Sequence, residues 1–401
     1  MKTLIAFELK KLVNRKVLWV VLALGLAMMA WADKEVIQYR TSGYLQGWRA
    51  VIAQYEGRTV TEAFRQQVLS DYNQYVAGNA EHFVAYPSDA QGGVRYHSKG
   101  FDYYLGAGSA YDRLTQITTL ESDQEQLLDA EQYLKSGTWE DGKPLDASSR
   151  RYFEQYVRQG PQTPGVHDAK GWQDYLDTGK SSLPGMVAMI LSVLALLGSF
   201  NGEASARMEA VVLTTKARRR LAAAKLLAGG CVACAVALLF LTLHVGVFAW
   251  AYGLEGAGLP ASQVFFHYAT DLTVAQAFAL SNVATVLAVL ACAAVAAWAS
   301  AQFRHPLLAL LVAGAVLGAM MGVDGLINTI SNLSDSLLPD WVNLLHEYAF
   351  LLPASALYNH YGVFYGMDEP IKLTFLGVFP LMLIALLCWL AKSSFLRQRK
   401  V

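Results

Sequence analysis

The sequence predicts an all-α membrane protein with about six transmembrane helices, an interfacial amphipathic helix at its N-terminus, and a mainly helical extracytoplasmic domain. Three observations carry that expectation. The 401 residues are 54% hydrophobic and only 16% charged, against roughly 45–50% and 25% in soluble domains. Apolar runs long enough for a bilayer core recur along the chain. Lysine and arginine collect in the short segments between alternate runs, leaving one long polar block with an acidic excess.

Residues 1–16 come first. Leu4, Ile5, Leu9, Leu12 and Val13 recur at helical spacing, with Lys10 and Lys11 elsewhere on the surface, the pattern of a helix lying in the membrane interface on the cytoplasmic side. Glu8 falls inside the apolar arc, where a carboxylate is costly without a cation. Arg218, Arg219 or Arg220, or a basic residue of a partner, could supply one; otherwise the side chain snorkels to water. The first span, 17–32, is short at about 24 Å of helix. With its basic flank and the Ala30-Trp31-Ala32 tripeptide it imitates a secretory signal, but the patterned residues before it favour retention.

The polar block 33–182 is expected to be the extracytoplasmic domain. Thr61 is placed to cap a helix whose face carries Val60, Phe64, Val68, Tyr72, Tyr75 and Val76. A second helix begins at Ser122 with Glu125 completing a capping box and continues through Leu127, Leu128 and Leu134. A third holds Tyr152, Phe153, Tyr156 and Val157, with Gly92-Gly93 and 161–165 as loops. Fourteen of the twenty tyrosines lie in this block, suiting either an aromatic core or a peptide-contacting surface. It contains no cysteine. All four, Cys231, Cys234, Cys292 and Cys388, lie in apolar runs, and the Cys231/Cys234 pair has no second pair or histidine cluster that would make it a metal site.

The remaining spans are 183–200, 226–253, 275–301, 306–323 and 371–391. A basic loop, 201–225, follows the second, and a basic tail, 392–401, closes the chain. Between the fifth and sixth, residues 324–370 pattern as short amphipathic or re-entrant helices on the other side, with Leu326, Ile327, Ile330 and Leu333, then Trp341, Leu344, Leu345 and Tyr348. The segments assigned to the cytoplasmic face carry sixteen lysines and arginines against Glu8, Glu203 and Glu209. That face is therefore +13 and, as the whole chain is neutral, the rest is −13. Such asymmetry places a multi-pass protein with both termini cytoplasmic.

Catalytic motifs are missing. The segment from Asp174 to Ser181 ends as a phosphate-binding loop does, but begins with aspartate instead of glycine, and His346-Glu347 lacks the second histidine of a zinc protease, with Phe350 in its place. No catalytic residue, metal site or nucleic-acid site is expected. Gly314, Gly318 and Gly322 form a doubled G-x-x-x-G, which permits close backbone approach either within the bundle or at a dimer interface beside a pathway. His244 and Asn282 are polar groups at membrane depth, serving either a pathway or an interhelical hydrogen bond.

The loop at 201–225 is amphipathic and mixed in charge, carrying Glu203, Arg207, Glu209, Leu213, Lys216, Arg218 and Arg219, with Lys225 behind. With the N-terminal Phe7-Glu8-Leu9-Lys10-Lys11, this loop resembles the permease subunits of ABC-2 type ABC transporters. The resemblance covers nearly the whole chain in topology and is local in motif; the large insertion after the first span departs from the family's compact members. It implies that residues 1–16 form an elbow helix with Glu8, Lys10 and Lys11, and that the loop is a coupling segment bound by a separate cytoplasmic ABC ATPase. It also implies a second permease copy or homologue, a place in a bacterial cytoplasmic (inner or plasma) membrane, and export of a peptide, antibiotic or other amphipathic compound. The chain itself is then no enzyme and binds no cofactor; ATP and magnesium belong to the partner. Besides these partners it meets membrane lipid. The alternative is a non-transporting membrane sensor or scaffold whose outer domain binds an envelope ligand; a membrane enzyme is disfavoured by the missing catalytic groups.

Overall fold

The computed structural model describes residues 1–14, 16–87, 94–100, 102–118, 130–138, 144–145, 150, 153–154, 157–158, 166–176, 182–201, 218–264, 272–333 and 370–397. These are mostly helical. The chain divides into two compact units. One comprises Met1–Ala32, Thr178–Gly246 and Phe278–Val401; the other comprises Asp33–Asp177 with Val247–Ala277.

The first unit is apolar. It opens with α1 (Lys2–Val13) and α2 (Lys16–Ala32), a pair bent by 64°. Then come α8 (Ser182–Leu197), α9 (Arg218–Tyr252), α11 (Val274–Gln302), α12 (Pro306–Leu333) and α13 (Pro370–Arg397), counting the elements of the second unit between them. α9, α11 and the Gly377–Arg397 part of α13 are long and apolar enough to cross a membrane; Leu183–Leu197 and Pro306–Gly322 are shorter apolar helices.

Small residues bring these helices together. A methyl group added at Gly25 would lie 2.8 Å from Val187 and 2.9 Å from Phe240, so α2 meets α8 and α9 where only hydrogen fits; Gly229 meets Leu196 in the same way at 2.5 Å. On α11, Ala288, Ala291, Ala293, Ala296, Ala297 and Ala299 are all buried. By contrast Val378, Leu381, Met382, Leu386 and Trp389 of α13, and Leu307, Leu308 and Leu311 of α12, are exposed. Apolar faces this extensive need an apolar surround or a partner.

The second unit contains α3 (Lys34–Thr41), α4 (Tyr44–Tyr55), α5 (Glu62–Gly78), a 3₁₀ turn (Ala80–His82), strands β1 (Phe83–Pro87) and β2 (Val94–Ser98), α6 (Tyr103–Thr118), α7 (Lys170–Leu176) and the short α10 (Ala261–Val264). The Thr61 hydroxyl accepts from the Phe64 amide at 3.2 Å, and Phe64, Val68, Tyr72 and Val76 turn inward. Their core is aromatic: Tyr72 stacks on Tyr111 with centroids 5.3 Å apart, and Tyr55 meets Phe64 edge-on at 5.5 Å. Of the two uses open to the tyrosines, packing accounts for Tyr44, Tyr55, Tyr72, Tyr111 and Tyr175, all buried.

Two features of this unit were not expected from the sequence. β1 and β2 form an antiparallel ribbon, Phe83 pairing with Ser98 and Pro87 with Val94. Residues 247–277, read from sequence as span ends and a connection, belong to this unit. The Trp172 indole donates to the Glu255 carbonyl at 2.7 Å and the Gln173 amide to the Val264 carbonyl at 3.1 Å. α4 and α6 cross most closely. A Cβ on Gly47 would sit 1.9 Å from the Tyr103 carbonyl oxygen, and one on Gly106 1.9 Å from that of Tyr44. The backbones touch, so glycine is required at both positions.

Candidate functional site

Among the described residues of the apolar unit, buried polar chemistry is concentrated at the two ends of the basic loop. Ile5, Glu8, Leu9 and Leu12 share one face of α1 because residues three and four apart stack along a helix. Leu12 is buried in the core and Ile5 and Leu9 pack against it. Glu8 is carried inward with them and is only 3% exposed. Its carboxylate forms an ion pair, 3.6 Å, with Lys225 of α9, whose side chain has no exposed surface. The Lys225 ammonium donates to the Ser199 carbonyl at 2.6 Å, in the turn after α8, and lies 5.7 Å from the centre of the Phe200 ring.

The same cluster continues into α11 and α13. The Phe200 amide donates to the Ser300 hydroxyl at 3.1 Å, and the Phe200 ring meets Phe395 edge-on at 5.3 Å. Phe395 in turn carries Arg218, whose guanidinium lies over its ring at 5.1 Å and donates to its carbonyl oxygen. Both chain ends of 202–217 are therefore held: Ser199 and Phe200 on one side, Arg218 and Lys225 on the other. α1, α9, α11 and α13 all contribute to the hold. Taking two charges out of water costs several kcal/mol per ion, which only close pairing and additional hydrogen bonds offset.

The expected site residues fall in three groups. Glu203, Arg207, Glu209, Leu213 and Lys216 lie outside the described residues. Arg219, Lys10 and the three glycines Gly314, Gly318 and Gly322 are exposed, and Lys11 is half-buried. Glu8, Arg218 and His244 are buried. One expectation is corrected. Glu8 neither snorkels nor pairs with 218–220; its cation is Lys225, five residues further along α9 than Arg220. Arg218, expected in the coupling segment, is turned inward onto Phe395. Sequence reasoning noted Lys225 only as trailing the loop and missed Ser199, Phe200, Ser300 and Phe395; a buried-face glutamate at Glu8 was the one signal that a cation had to be found.

The polar groups at depth resolve differently. Asn282 donates to the Phe278 carbonyl at 2.8 Å, one turn back in its own helix. A methyl group added at Gly314, Gly318 or Gly322 meets nothing within 4 Å. The glycines thus meet no neighbour among the described residues.

A second cluster lies in the tyrosine-rich unit. The Lys170 ammonium pairs with Asp174 at 3.0 Å and lies 4.7 Å from the Trp48 ring centre. The Tyr252 hydroxyl donates to the other Asp174 oxygen at 2.5 Å. Arg49 pairs with Asp168 at 3.2 Å and donates to the Tyr252 carbonyl. Asp174, the residue that opens the phosphate-loop-like segment, is thereby a buried acceptor engaged by lysine and tyrosine, a role opposite to cradling an anion.

Comparison with protein-family models, with curated proteins and with solved structures finds no match for this chain.

Proposed function

We propose that the chain is the permease subunit of an ABC-2 type exporter, with six spans, an elbow helix at α1, and ATP hydrolysed by a separate cytoplasmic subunit. The observation that supports this most is the hold on the basic loop. A loop meant only to anchor lipid headgroups needs no buried attachment, whereas a loop that passes displacement to a helix bundle must be fixed at both ends. The cluster around Glu8, Lys225, Phe200, Arg218 and Phe395 fixes it to several helices at once. On this reading ATP binding in the partner moves 202–217, the hold carries the movement into α1, α9, α11 and α13, and an amphipathic compound such as a peptide or antibiotic crosses outward. The exposed line of Leu307, Leu311, Gly314, Gly318 and Gly322 on α12 suits a second permease copy.

The test is ATPase activity of the chain purified together with the products of its neighbouring genes and reconstituted in nanodiscs. Stable co-purification is expected, with hydrolysis that responds to the permease. Glu203→Ala with Arg219→Ala should lower that coupled rate at least tenfold without reducing membrane insertion, and Gly314→Ile with Gly318→Ile should reduce the two-permease assembly by mass. A coupled rate unchanged by the first pair refutes the coupling role of the loop. Absence of any ATPase partner favours a sensor or scaffold.

A further inference from the structure

Among the described residues of the tyrosine-rich unit, two large apolar side chains are more than half exposed, Trp250 at 55% and Leu254 at 58%. They lie four residues apart, where α9 ends. Upstream, Leu239, Leu243 and Gly246 are exposed too, and with Trp250 they are spaced by four, three and four residues, so they form one stripe along the helix. Phe240, Leu241, His244 and Phe248, on the opposite side, are buried. α9 is long and apolar enough to cross a membrane, so this stripe is the face it would turn to lipid, and Trp250 stands at its end. Single exposed hydrophobic residues are ordinary, but these two prolong the apolar stripe of a helix of spanning length.

The backbone holds Leu254 outside. Gly253 leaves the helix in the left-handed conformation, at φ 80°, while its amide still donates to the Ala249 carbonyl at 3.0 Å, the helix ending that favours glycine. On the other flank the Glu255 carbonyl accepts from the Trp172 indole at 2.7 Å. The Leu259 amide then donates to the Gly256 carbonyl at 3.1 Å and the Ala275 amide to the Ala257 carbonyl at 2.9 Å. With both flanks pinned, Leu254 turns inward only if these bonds break. Glu255 beside it is exposed, and a carboxylate is costly in hydrocarbon, so it sets this turn at the polar boundary of a bilayer rather than below it.

We propose that Trp250 and Leu254 anchor the tyrosine-rich unit to the bilayer, both side chains lying at the boundary between headgroups and acyl chains of the leaflet at that end of α9. Tryptophan favours this level because its ring is apolar and its indole N–H polar, and the leucine adds apolar area to be buried. The occupant follows from continuity: lipid is what the middle of the stripe requires, and Trp250 and Leu254 extend the same stripe by little more than one turn. The anchor rests on membrane embedding of α9, not on transport.

The experiment places a fluorophore at three positions of the full chain, one at a time, after its four native cysteines are replaced by alanine. Leu254→Cys probes the anchor, Leu239→Cys the middle of the stripe, and Asn73→Cys, exposed on α5, is the aqueous reference. Each is labelled with nitrobenzoxadiazole and reconstituted in phosphatidylcholine nanodiscs carrying a nitroxide at the fifth or the twelfth acyl carbon. For a side chain about 5–10 Å into the boundary region, the label at 254 should be quenched about twofold more by the shallow nitroxide than by the deep one, and about fivefold less by aqueous iodide than the label at 73. Trp250→Gln should reduce lipid quenching at 254 by about half and leave that at 239 unchanged. Iodide quenching at 254 equal to that at 73 would overturn the anchor, as would lipid quenching at 254 that Trp250→Gln does not alter. Shielding of 254 from both quenchers would overturn it too, in favour of a protein surface over the turn. Lipid quenching at 239 with none at 254 refutes the anchor alone; none at either position refutes the embedding of α9 as well.

Discussion

Replacing Glu8 by glutamine leaves the Lys225 ammonium with its bond to the Ser199 carbonyl but without its counter-charge. The separation of 3.6 Å corresponds to a Coulomb attraction of about 4–5 kcal/mol at an effective dielectric of about 20, and removal of one member of a buried pair typically costs about 3–5 kcal/mol. Lys225→Met removes the other member and strands Glu8 at a position only 3% exposed. Each single variant is therefore expected to lose about 3–5 kcal/mol. The double variant Glu8→Gln/Lys225→Met buries no charge and should return to within about 1 kcal/mol of the parent, because replacing a whole buried pair by neutral groups of similar volume is often neutral. The four proteins are compared by tryptophan-fluorescence unfolding in one detergent, with the interaction energy taken from the cycle. Single losses under about 1 kcal/mol, or a double variant that loses the sum of both, would refute a desolvated pair and return Glu8 to a solvated surface role.

Two further outcomes concern the tyrosine-rich unit. Gly47→Ala and Gly106→Ala each force a Cβ against a carbonyl oxygen and should cost at least about 3 kcal/mol, the upper range for overpacking, read as faster limited proteolysis of 33–177; Gly78→Ala, where a Cβ meets nothing, should change it little, and equal behaviour of the three would sink the close crossing of α4 and α6. Burial, and for Tyr55 the hydrogen bond to Asp71 at 2.6 Å, push the phenols of Tyr55 and Tyr75 above their usual 10.0, and burial does the same at Tyr111. Their contribution is complete below pH 10 and is lost as pH rises from there toward the higher folded values, so the unit should destabilise above about pH 10, with tyrosinate absorbance appearing together with unfolding. Free ionisation of all tyrosines in the folded unit at pH 10 would contradict this.

Legibility in the sequence followed range. The apolar helices were readable because hydropathy is a property of contiguous residues: 17–32, 226–253, 275–301, 306–323 and 371–391 each lie within a helix or within a residue of one. The Thr61 cap was readable for the same reason, since its partner is three residues away. The ribbon of β1 and β2 was not, because strands of five residues give little alternation and the Gly92-Gly93 signal fits any loop. Membership of 247–277 in the tyrosine-rich unit depends on contacts such as Trp172 with Glu255, which no period can reveal. The site behaves in the same way. Glu8 on an apolar arc announced a missing cation, but its partner is 217 positions along the chain, and nothing local separates Lys225 from the arginines before it.

The two units spend similar residues on different problems. In the tyrosine-rich unit, apolar burial drives folding, and Val68, Leu114 and Val166 are fully enclosed. If the apolar unit lies in a bilayer, burial gains little there, since lipid tails are as apolar as leucine, and helices are held by close packing and polar contacts. The leucines outside on α12 and α13 and the alanines inside on α11 then have one explanation: large side chains face lipid at no penalty, and small ones let backbones approach. It follows that the Glu8, Lys225, Ser199, Phe200 and Arg218 cluster is the kind of interaction that can fix which helix ends meet, because apolar surfaces alone would slide. A pair that fixes geometry at the base of a loop is also the pair through which displacement of that loop must pass. That is why the charge-neutral double variant separates two roles: it should recover the stability of the parent, while any loss of coupled ATPase activity that remains in it measures what the charges contribute to transmission rather than to folding.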